Sequence, residues 1–597
     1  MQSYELGLLR ARRRIARGAS NVGGVGLLLL AACGSTARDG NATKSSGATN
    51  VSGASGGGSP SVGDRSTAGA SNAASAGGTS GAPNVASNGG ASSPGGAPGS
   101  AGGVPMTMSA GGANVAGSGV ALGGMGGSPT GAGGAVAASG AGGGAPLGAL
   151  TVSNLMIAPN PKMTLSCYVS WTTSEAANSE VDFGMGGYQF RVVDPTSTTD
   201  HKVHVVGMHP QTAYQIKAVS TSATATGSAE GTFTTGMVPA NLPSAANVIT
   251  NERDKMQPGW TLTNYQVGGA GSSNTSTQPG IIVIVDEDGI PVWYYVHGTT
   301  ADQYGMTSTD FLPNGHVLVG NASAEPAVEV DLEGNIVWTG PTGGTPAASH
   351  HTGKLMNGDY AIVRESNATA RVEELNPQDQ VVWTWDLYDY IKPKTSANDW
   401  CHLNSVTFDE VNDFLYFNCR FQGLFKVNRA DKSIIWQMGA AIDDPTTGDI
   451  TYLPDNSARF NDSHDPEIHS DGTILFYDNQ GWMSHDNGQG NGSYHTRVVE
   501  YQLDEPNKTA TLEWEFPGSF DVDSWYENDW STPIWGDADR LSNGDVLVTA
   551  GARGAGTHTR IFEVTRAGEV VWAIEWPENN GSYRADRIEQ PPVEKLP

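Results

Sequence analysis

The sequence is poor in positive charge and has no long hydrophobic run beyond its N-terminus. Of its 597 residues only 16% are charged, and 33 Lys and Arg stand against 61 Asp and Glu, a formal net charge of −28. This balance argues against a nucleic-acid partner, because binding to phosphates relies on clustered Lys and Arg. No later segment reaches roughly 18 consecutive apolar residues, so we expect no membrane-spanning helix.

Large apolar side chains are scarce between residues 34 and 147. This segment consists almost wholly of Gly, Ala, Ser, Asn, Pro and Thr. Such a composition cannot bury enough apolar surface to offset the entropy of the chain, so we predict a disordered linker rich in Gly, Ala and Ser. Roughly 450 residues remain outside it, enough for one small and one large domain.

Residues 1–33 have the pattern of an export signal. Five arginines lie between Arg10 and Arg17, and a short apolar run ends in Leu30-Ala31-Ala32-Cys33. The run is too short to span a bilayer and predicts a signal peptide. Its ending resembles the bacterial lipoprotein box. That resemblance implies an exported protein with a lipid on Cys33, anchored at the outer membrane, on its periplasmic side or at the cell surface. An ordinary signal peptide with an unrelated cysteine is the alternative.

Short alternating runs between residues 148 and 237 predict about seven β-strands separated by turns. This pattern is typical of a small immunoglobulin-like β-sandwich, with Trp171 and Tyr214 in its core. The segment from Met208 to Tyr214 resembles the turn and tyrosine corner of fibronectin type III domains. Cys167 lies in the middle of a predicted strand with no cysteine nearby, so we expect it to be a buried free thiol.

A six-fold repeat in residues 240–597 predicts a six-bladed β-propeller, so that the whole chain belongs to the all-β class. Six times a turn is followed by an apolar run that ends in tryptophan, at Trp293, Trp338, Trp383, Trp436, Trp514 and Trp572. Asn-Gly or Asp-Gly pairs, which are strong hairpin signals, precede most of these runs. Units of about 45–60 residues with four strands are typical of propeller blades. A β-helix is the alternative, but its repeats are shorter.

The first unit of the repeat lacks its leading hairpin. We expect strands within residues 248–285, or the C-terminal tail, to complete that blade. Completion is needed because propellers leave only short and protected strand edges.

Three predicted blades carry a histidine shortly before their first hairpin. His350 and His464 each lie eight residues before the hairpin glycine of their unit, Gly358 and Gly472. His402 holds the matching place in the blade between them, and Arg420 lies across its hairpin. Since the innermost strands of a propeller surround one channel, we expect these side chains to point toward a common axis.

Three histidines and an arginine suit an anion better than a metal. Three histidines can ligate zinc, but a guanidinium would be repelled by a dication and instead matches a tetrahedral oxyanion bound through two contacts. We therefore expect no metal and no cofactor. A metal-dependent propeller enzyme stays an alternative. No Walker, kinase or G-x-S-x-G motif is found in the sequence.

Segments around these residues resemble those of the bacterial arylsulfate sulfotransferases. Residues 399–405, Asp-Trp-Cys-His-Leu-Asn-Ser, resemble the Asp-Trp-x-His-x-Asn-Ser segment of that family, and residues 420–422 resemble its arginine segment. His464-Asp465, together with Leu475-Phe476-Tyr477-Asp478-Asn479, resembles its nucleophile segment. The resemblance covers about residues 250–597. It implies transfer of a sulfuryl group from a phenolic sulfate ester to another phenol, without a nucleotide sulfate donor.

The same resemblance implies a role for each site residue. His464 would be the nucleophile that becomes transiently sulfated, and the sulfuryl oxygens would be held by His350, His402, Asn404 and Arg420. A histidine would donate or accept the proton. Residues 350–352 read His-His-Thr where the family more often has His-His-Asp, so His351 is an alternative to His350. Asp465, a carboxylate beside His464, is expected to fix the tautomer of its imidazole.

Cys401 and Cys419 each precede one of the site residues. They fall near opposition on a hairpin that turns around residues 409–413. Exported proteins favour disulfides, and partners across a hairpin can lie within bonding distance. We predict a bridge between them, with two buried free thiols as the alternative.

Taken together, the sequence predicts an exported enzyme of the arylsulfotransferase type. Its partners would be a small aryl sulfate, a phenol and the membrane through Cys33, with no nucleic acid. A homodimer is left open. The alternative function is a non-catalytic propeller that binds an anionic or glycan ligand.

Overall fold

The computed structural model describes the greater part of the chain after residue 147. The described ranges are 148–267, 279–297, 308–320, 326–341, 348–366, 368–392, 400–439, 447–455, 459–479, 496–517, 532, 535–551 and 559–596. The predicted signal peptide, the lipidation site Cys33 and the linker of residues 34–147 lie outside them and stay predictions. Within the described ranges no helix has the length and apolar character needed to cross a membrane.

The first six described strands form one sheet. They are β1 (Gly148–Ala149), β2 (Val152–Pro159), β3 (Cys167–Gly184), β4 (Phe190–Val205), β5 (Ala213–Thr221) and β6 (Ala225–Thr234). The first half of β3 pairs with β2 and its second half with β5, while β4 follows β3 along most of its length. The sheet folds over on itself, so that Gly231 in β6 packs against Ile157 in β2.

The core of this small unit contains the aromatic residues that the sequence predicted there. Trp171 and Tyr214 are buried, and Cys167 is a buried free thiol, as expected. The backbone N–H of His209 donates to Oη of Tyr214 at 2.8 Å. A hydrogen bond between a tyrosine hydroxyl and the backbone a few residues upstream is the contact of a tyrosine corner. The resemblance to fibronectin type III domains and the domain bounds 148–237 and 240–597 stay predictions.

Strands β7 to β18 follow in the chain. They are β7 (Asn247–Asn251), β8 (Trp260–Val267), β9 (Gly280–Val285), β10 (Pro291–His297), β11 (Thr309–Phe311), β12 (Val317–Val319), β13 (Val328–Val330), β14 (Ile336–Thr339), β15 (Ala348–Lys354), β16 (Tyr360–Ser366), β17 (Thr369–Leu375) and β18 (Val381–Asp386). A single 3-10 turn, Leu387–Asp389, follows β18 in the described residues.

The remaining strands run to the C-terminus. They are β19 (Leu403–Asp409), β20 (Phe414–Cys419), β21 (Gly423–Asn428), β22 (Ile434–Met438), β23 (Thr451–Leu453), β24 (His464–Ile468), β25 (Thr473–Asp478), β26 (Arg497–Asp504), β27 (Thr509–Phe516), β28 (Asp537–Arg540), β29 (Val546–Ala550), β30 (Arg560–Val564), β31 (Val570–Glu575), β32 (Asn580–Gly581), β33 (Ala585–Ile588) and β34 (Glu594–Lys595).

Six small sheets form a ring, which confirms the predicted six-bladed propeller. Blade one contains β33, β8, β9 and β10, with β32 also on β8. Blades two to four are β11 to β14, β15 to β18 and β19 to β22. Blade five is β24 to β27 with β23 added outside, and blade six is β28 to β31 with β7 added outside. The innermost strands are therefore β33, β11, β15, β19, β24 and β28.

The repeated tryptophans lie on the fourth strand of each blade and hold neighbouring blades together. The indole N–H groups of five donate at 2.9–3.1 Å to the turn between the third and fourth strands of the next blade: Trp293, Trp338, Trp383, Trp514 and Trp572. Trp436 is buried, and its indole nitrogen has no hydrogen-bond partner among the described residues. The sequence repeat thus marks contacts between blades as well as the blade core.

Both segments that the sequence offered complete blade one: β8 and β9 lie within residues 248–285, and the C-terminal tail closes the ring. Strand β33 pairs antiparallel with β8 and supplies the innermost strand that the first repeat unit lacks. Farther along the tail, β34 pairs with β4 of the N-terminal sheet. Closure by the tail places residues 583–588 beside innermost strands that lie more than a hundred residues earlier in the chain. Arg584 thereby contacts His351 and Asn404.

Candidate active site

The three predicted histidines lie at the starts of innermost strands in three consecutive blades. His350 is in β15, His402 directly precedes β19, and His464 is the first residue of β24. The rings of His350 and His402 meet edge to face with centroids 4.9 Å apart. Both residues have left-handed backbone, with φ of 54° and 53°. Such φ values are uncommon for residues other than glycine and cluster at functional sites.

His464 is held in one tautomer by an asparagine. Its Nδ1 lies 2.7 Å from Oδ1 of Asn479, and the amide nitrogen of Asn479 donates to the carbonyls of Thr532 and Trp535, each at 2.8 Å. Those two bonds fix Oδ1 of Asn479 as an acceptor, so Nδ1 of His464 carries the proton. The lone pair of the neutral imidazole is then on Nε2.

His464 is also kept neutral by its surroundings. The side chain is only 2% exposed. Burial is the main cause that holds its pKa well below the ordinary value of 6.5, followed by the positive charge of Arg420. The hydrogen bond to Asn479 opposes this shift, and His402 and His350 add to it. A neutral imidazole with a free lone pair is a competent nucleophile.

The expected role of Asp465 is wrong. The structure gives the tautomer-fixing contact to Asn479, and Oδ2 of Asp465 instead forms an ion pair with Nε of Arg584 at 2.9 Å. The reason is that successive residues of a strand point to opposite sides. Asn479 lies in the segment that resembles the nucleophile segment of the family, so the sequence contained an indication of its role. Asp465 was expected in this role because it directly follows His464 in the chain.

Arg584 is a site residue that the sequence did not reveal. It directly precedes β33 and is 3% exposed. Nη1 donates to Nδ1 of His351 at 3.0 Å, and Nη2 donates to the carbonyl of Asn404 at 3.3 Å. With its ion pair to Asp465, this guanidinium contacts residues of blades three, four and five. Nothing in its local sequence signals this role, because closure of the ring brings it there.

The geometry distinguishes between the two adjacent histidines of blade three. His350 lies against His402, and its Nδ1 is 4.0 Å from Oε2 of Glu365. His351 is buried, and burial, followed by the charge of Arg584, lowers its pKa well below 6.5. His350 is therefore the histidine next to the other site residues, and His351 holds Arg584. Glu365 also accepts from the backbone N–H of Leu403 at 2.6 Å.

Asn404 is fully buried and ties blade four to the strand of His464. Its amide nitrogen donates to the carbonyl of Ser463 at 2.8 Å, and its Oδ1 accepts from Asn418 at 2.7 Å. Asn418 also donates to the Ser463 carbonyl, at 3.1 Å. These contacts position the residue that precedes His464 and use one of the two amide N–H groups of Asn404.

Arg420 is held next to His402 by the backbone of one hairpin. Its backbone N–H donates to the carbonyl of His402 at 2.9 Å, and Phe421 donates to the carbonyl of Cys401 at 3.1 Å. Cys401 and Cys419 form a disulfide across this hairpin, with Cα atoms 4.9 Å apart. Cζ of the Arg420 guanidinium lies 5.0 Å from the centre of the Phe421 ring. Two strands thus present His402 and Arg420 from one covalently linked corner.

The fold and the site define a six-bladed propeller that gathers three histidines and two arginines at the centre of its ring. The sequence profile of the family described as Arylsulfotransferase (ASST) matches residues 245–584. The match covers more than half of the chain, and the chain belongs to the arylsulfotransferase family.

Individual relatives are more distant. The chain is 27% identical over 140 residues to arylsulfate sulfotransferase AssT of Escherichia coli O6:H1 strain CFT073, a match that spans 20% of this chain and 23% of AssT. Streptogramin B lyase shares 11% identity, with 54% of this chain and 89% of the lyase covered at a TM-score of 0.31. The propeller domain of Cps50 (Swd1) from Myceliophteria thermophila shares 12% identity, with 56% and 88% covered at 0.31.

Replacing Asn479 by alanine is expected to lower kcat by about 10- to 100-fold with little change in KM. Without Oδ1 of Asn479 the imidazole of His464 loses the acceptor that orients it, while the contacts to a bound ester stay. Asn160→Ala is the matched control, because Asn160 is also buried and donates to the carbonyl of Glu333 at 3.0 Å, away from the site. Steady-state kinetics and melting curves of both variants test this. Equal losses of kcat in the two variants would contradict the role of Asn479.

Proposed function

We propose that the protein transfers a sulfuryl group from a phenolic sulfate ester to another phenol, by way of a transient sulfate on His464. The observation that carries the proposal is the state of His464. A buried imidazole whose Nδ1–H is held by Asn479, and whose pKa lies well below 6.5, offers the lone pair of Nε2 at neutral pH. Membership of the arylsulfotransferase family supports the same reaction class.

In the first half-reaction Nε2 of His464 attacks the sulfur of the donor ester. The N–S bond forms, the S–O bond to the aryl oxygen breaks, and the aryl oxygen leaves with the electron pair. In the second half-reaction the oxygen of the acceptor phenol attacks the sulfur and loses its proton, and the N–S bond breaks. The neutral imidazole is then restored. Splitting one transfer into two steps in this way is the usual gain of covalent catalysis.

Arg420, His402 and the remaining N–H of Asn404 would hold the sulfuryl oxygens during both steps, joined by His350 while it carries its proton. Negative charge shifts among these oxygens as the S–O bond breaks, and preorganised donors stabilise it more strongly in a buried site than in water. The planar guanidinium of Arg420 can contact two oxygens at once. The net charge of the chain, −28, disfavours binding of an anion, but salt screens charges that lie more than roughly 10 Å from the site, so that Arg420 dominates locally.

His350 would move the proton. Its Nδ1 is 4.0 Å from a carboxylate oxygen of Glu365, which would pair with an imidazolium at this position. A protonated His350 can donate to the departing aryl oxygen, and a neutral one can accept the proton of the incoming phenol. One group then serves both half-reactions, as an acid in the first and a base in the second.

The direct test is sulfuryl transfer from 4-nitrophenyl sulfate to phenol. We expect release of 4-nitrophenolate that depends on the acceptor, with formation of phenyl sulfate. With donor alone, we expect a labile gain of one SO3 group in the intact mass, which peptide mapping places on His464. Binding of the ester without turnover over a range of phenols, and without the adduct, would overturn the proposal and favour a binding propeller.

The cellular location rests on the sequence. We propose that the protein is exported and anchored to the bacterial membrane through a lipid on Cys33, with residues 34–147 as a tether between the anchor and the folded units. A Gly-rich coil of that length spans about 55–65 Å root-mean-square. The tether would let the site meet small aryl sulfates and phenols at a distance from the membrane.

A further inference from the structure

A group of carboxylates lies on the innermost strands where the ring is closed. Asp537 and Asp539 are on β28 of blade six, and Asp586 is on β33, the C-terminal strand that completes blade one. One carboxylate oxygen from each of the three lies within 4.8 Å of the others. Three negative groups this close repel one another strongly in a buried place unless a proton or a cation lies between them.

The hydrogen bonds around these carboxylates leave two oxygens without a donor. Oδ2 of Asp537 accepts from the backbone N–H of Ala585 at 3.2 Å, and Oδ2 of Asp586 accepts from that of Phe311 at 3.1 Å. Oδ1 of Asp537 and Oδ2 of Asp539 are buried and have no donor among the described residues. Asp537 as a whole is only 2% exposed. A buried carboxylate oxygen without a partner is costly and calls for an explanation.

Arg584 neutralises the group only in part, because its charge acts on Asp537 and Asp586 but is shared with Asp465 and Asp310. Its guanidinium forms the ion pair with Asp465 and donates to His351 and to the carbonyl of Asn404. Asp465 also forms a side-chain hydrogen bond with Asp537, and Asp465 and Asp310 add further negative charge next to the three carboxylates.

We propose that Asp537, Asp539 and Asp586 bind one divalent cation of the hard, oxygen-preferring class, with Ca²⁺ favoured over Mg²⁺. Ca²⁺ accepts oxygen ligands at about 2.3–2.6 Å, so oxygens on opposite sides of the ion are about 4.6–5.2 Å apart. Three oxygens that lie within 4.8 Å of one another fit around such an ion. Carboxylates without nitrogen or sulfur ligands favour Ca²⁺ or Mg²⁺ over zinc, and water would complete the coordination.

The expectation of no metal, drawn from the histidines and Arg420, concerned a different set of residues. The cation would join β28 of blade six to β33 of blade one, which is the seam where the two ends of the propeller meet. A cation that binds the closed ring and not the unfolded chain stabilises the ring by mass action. The role proposed is therefore structural and does not depend on the proposed sulfuryl transfer.

The test uses the full chain, first stripped with EDTA and dialysed, then titrated with CaCl2 and separately with MgCl2. For wild type we expect one Ca²⁺ bound per chain by calorimetry and a rise in Tm of about 3 °C or more. Asp539→Asn is expected to weaken Ca²⁺ binding at least about tenfold and to remove the rise in Tm. Asp254→Asn, which changes an exposed carboxylate outside the group, is the matched control and should behave as wild type.

A second measurement separates a cation site from carboxylates that share protons. In EDTA, Asp539→Asn should melt at or above the temperature of wild type, because one of three repelling charges is gone, which also shows that the variant folds. In saturating Ca²⁺ the order should reverse. Absence of Ca²⁺ and Mg²⁺ binding by wild type, or equal Ca²⁺ binding by wild type and Asp539→Asn, would overturn the proposal.

Discussion

Replacing His464 by alanine is expected to abolish sulfuryl transfer, with kcat lowered by more than about 10³-fold, while the protein stays folded. The variant lacks the atom that forms the bond to sulfur, so no other group of the site can replace it. Loss of the side chain leaves Oδ1 of Asn479 without its donor, at a cost of about 1–3 kcal/mol. In a chain of this size that corresponds to a Tm lowered by only a few degrees.

The control for this prediction is a histidine of similar burial in the N-terminal sheet. His201 is 3% exposed, and its ring nitrogens lie 2.9 and 2.8 Å from the hydroxyls of Thr173 and Ser179. His201→Ala should cost similar stability and keep full transfer activity. Turnover from 4-nitrophenyl sulfate, the sulfate adduct and melting curves are measured for both. Turnover in His464→Ala, or its collapse on purification, would remove His464 from the mechanism.

Replacing Arg420 by lysine is expected to reduce kcat by roughly 10- to 100-fold, although the positive charge is kept. Lysine loses the planar fork, so two parallel contacts to the sulfuryl oxygens become one. A charge-assisted hydrogen bond contributes about 1.5–3 kcal/mol, which gives this range of rates. Because charge shifts onto these oxygens in the transition state, kcat should fall at least as much as affinity. Near-wild-type kinetics would show that Arg420 supplies only its charge.

The pH dependence of activity in a second variant at this position distinguishes the effect of the positive charge of Arg420 from the effect of its planar guanidinium. The charge of Arg420 helps to lower the pKa of His464, so Arg420→Met should raise that pKa. His464 must be neutral to attack, and in wild type it stays neutral as the pH falls through 6.5. In Arg420→Met the loss of activity on acidification should begin at a higher pH. Arg420→Lys should keep the wild-type profile at a lower rate, and the same shift in both variants would contradict this division.

The blade pattern could be predicted from the sequence because each blade is specified locally. Asn-Gly and Asp-Gly turns set hairpins between neighbouring strands, and an apolar run ending in tryptophan recurs at the fourth strand. The indole of Trp293, for example, reaches the turn of the next blade at Leu332. Contacts between consecutive blades therefore recur at a regular spacing in the sequence, and such a repeat can be recognised without a structure.

The meeting of the histidines could be inferred in the same way, but not their contacts. Position before the hairpin places His350, His402 and His464 at matching ends of innermost strands. Which partner holds His464 depends on the side to which each side chain points and on the pairing of β24 with β25. That pairing brings Asn479 to Nδ1 and turns Asp465 toward Arg584. Because Asp465 is adjacent to His464 in the sequence, it had been expected to hold Nδ1 in place of Asn479.

Sequence alone therefore determined the propeller, its number of blades and the set of histidines with Arg420, because these depend on local turns and on a repeat of neighbouring units. Only the tertiary structure decided that the tail closes blade one and thereby places Arg584 beside Asn404, and Asp586 beside Asp537 and Asp539. These residues meet across gaps of tens to hundreds of positions. They are brought together by closure of the whole ring. Residues joined in this way share no repeat or motif by which the sequence could indicate the contact.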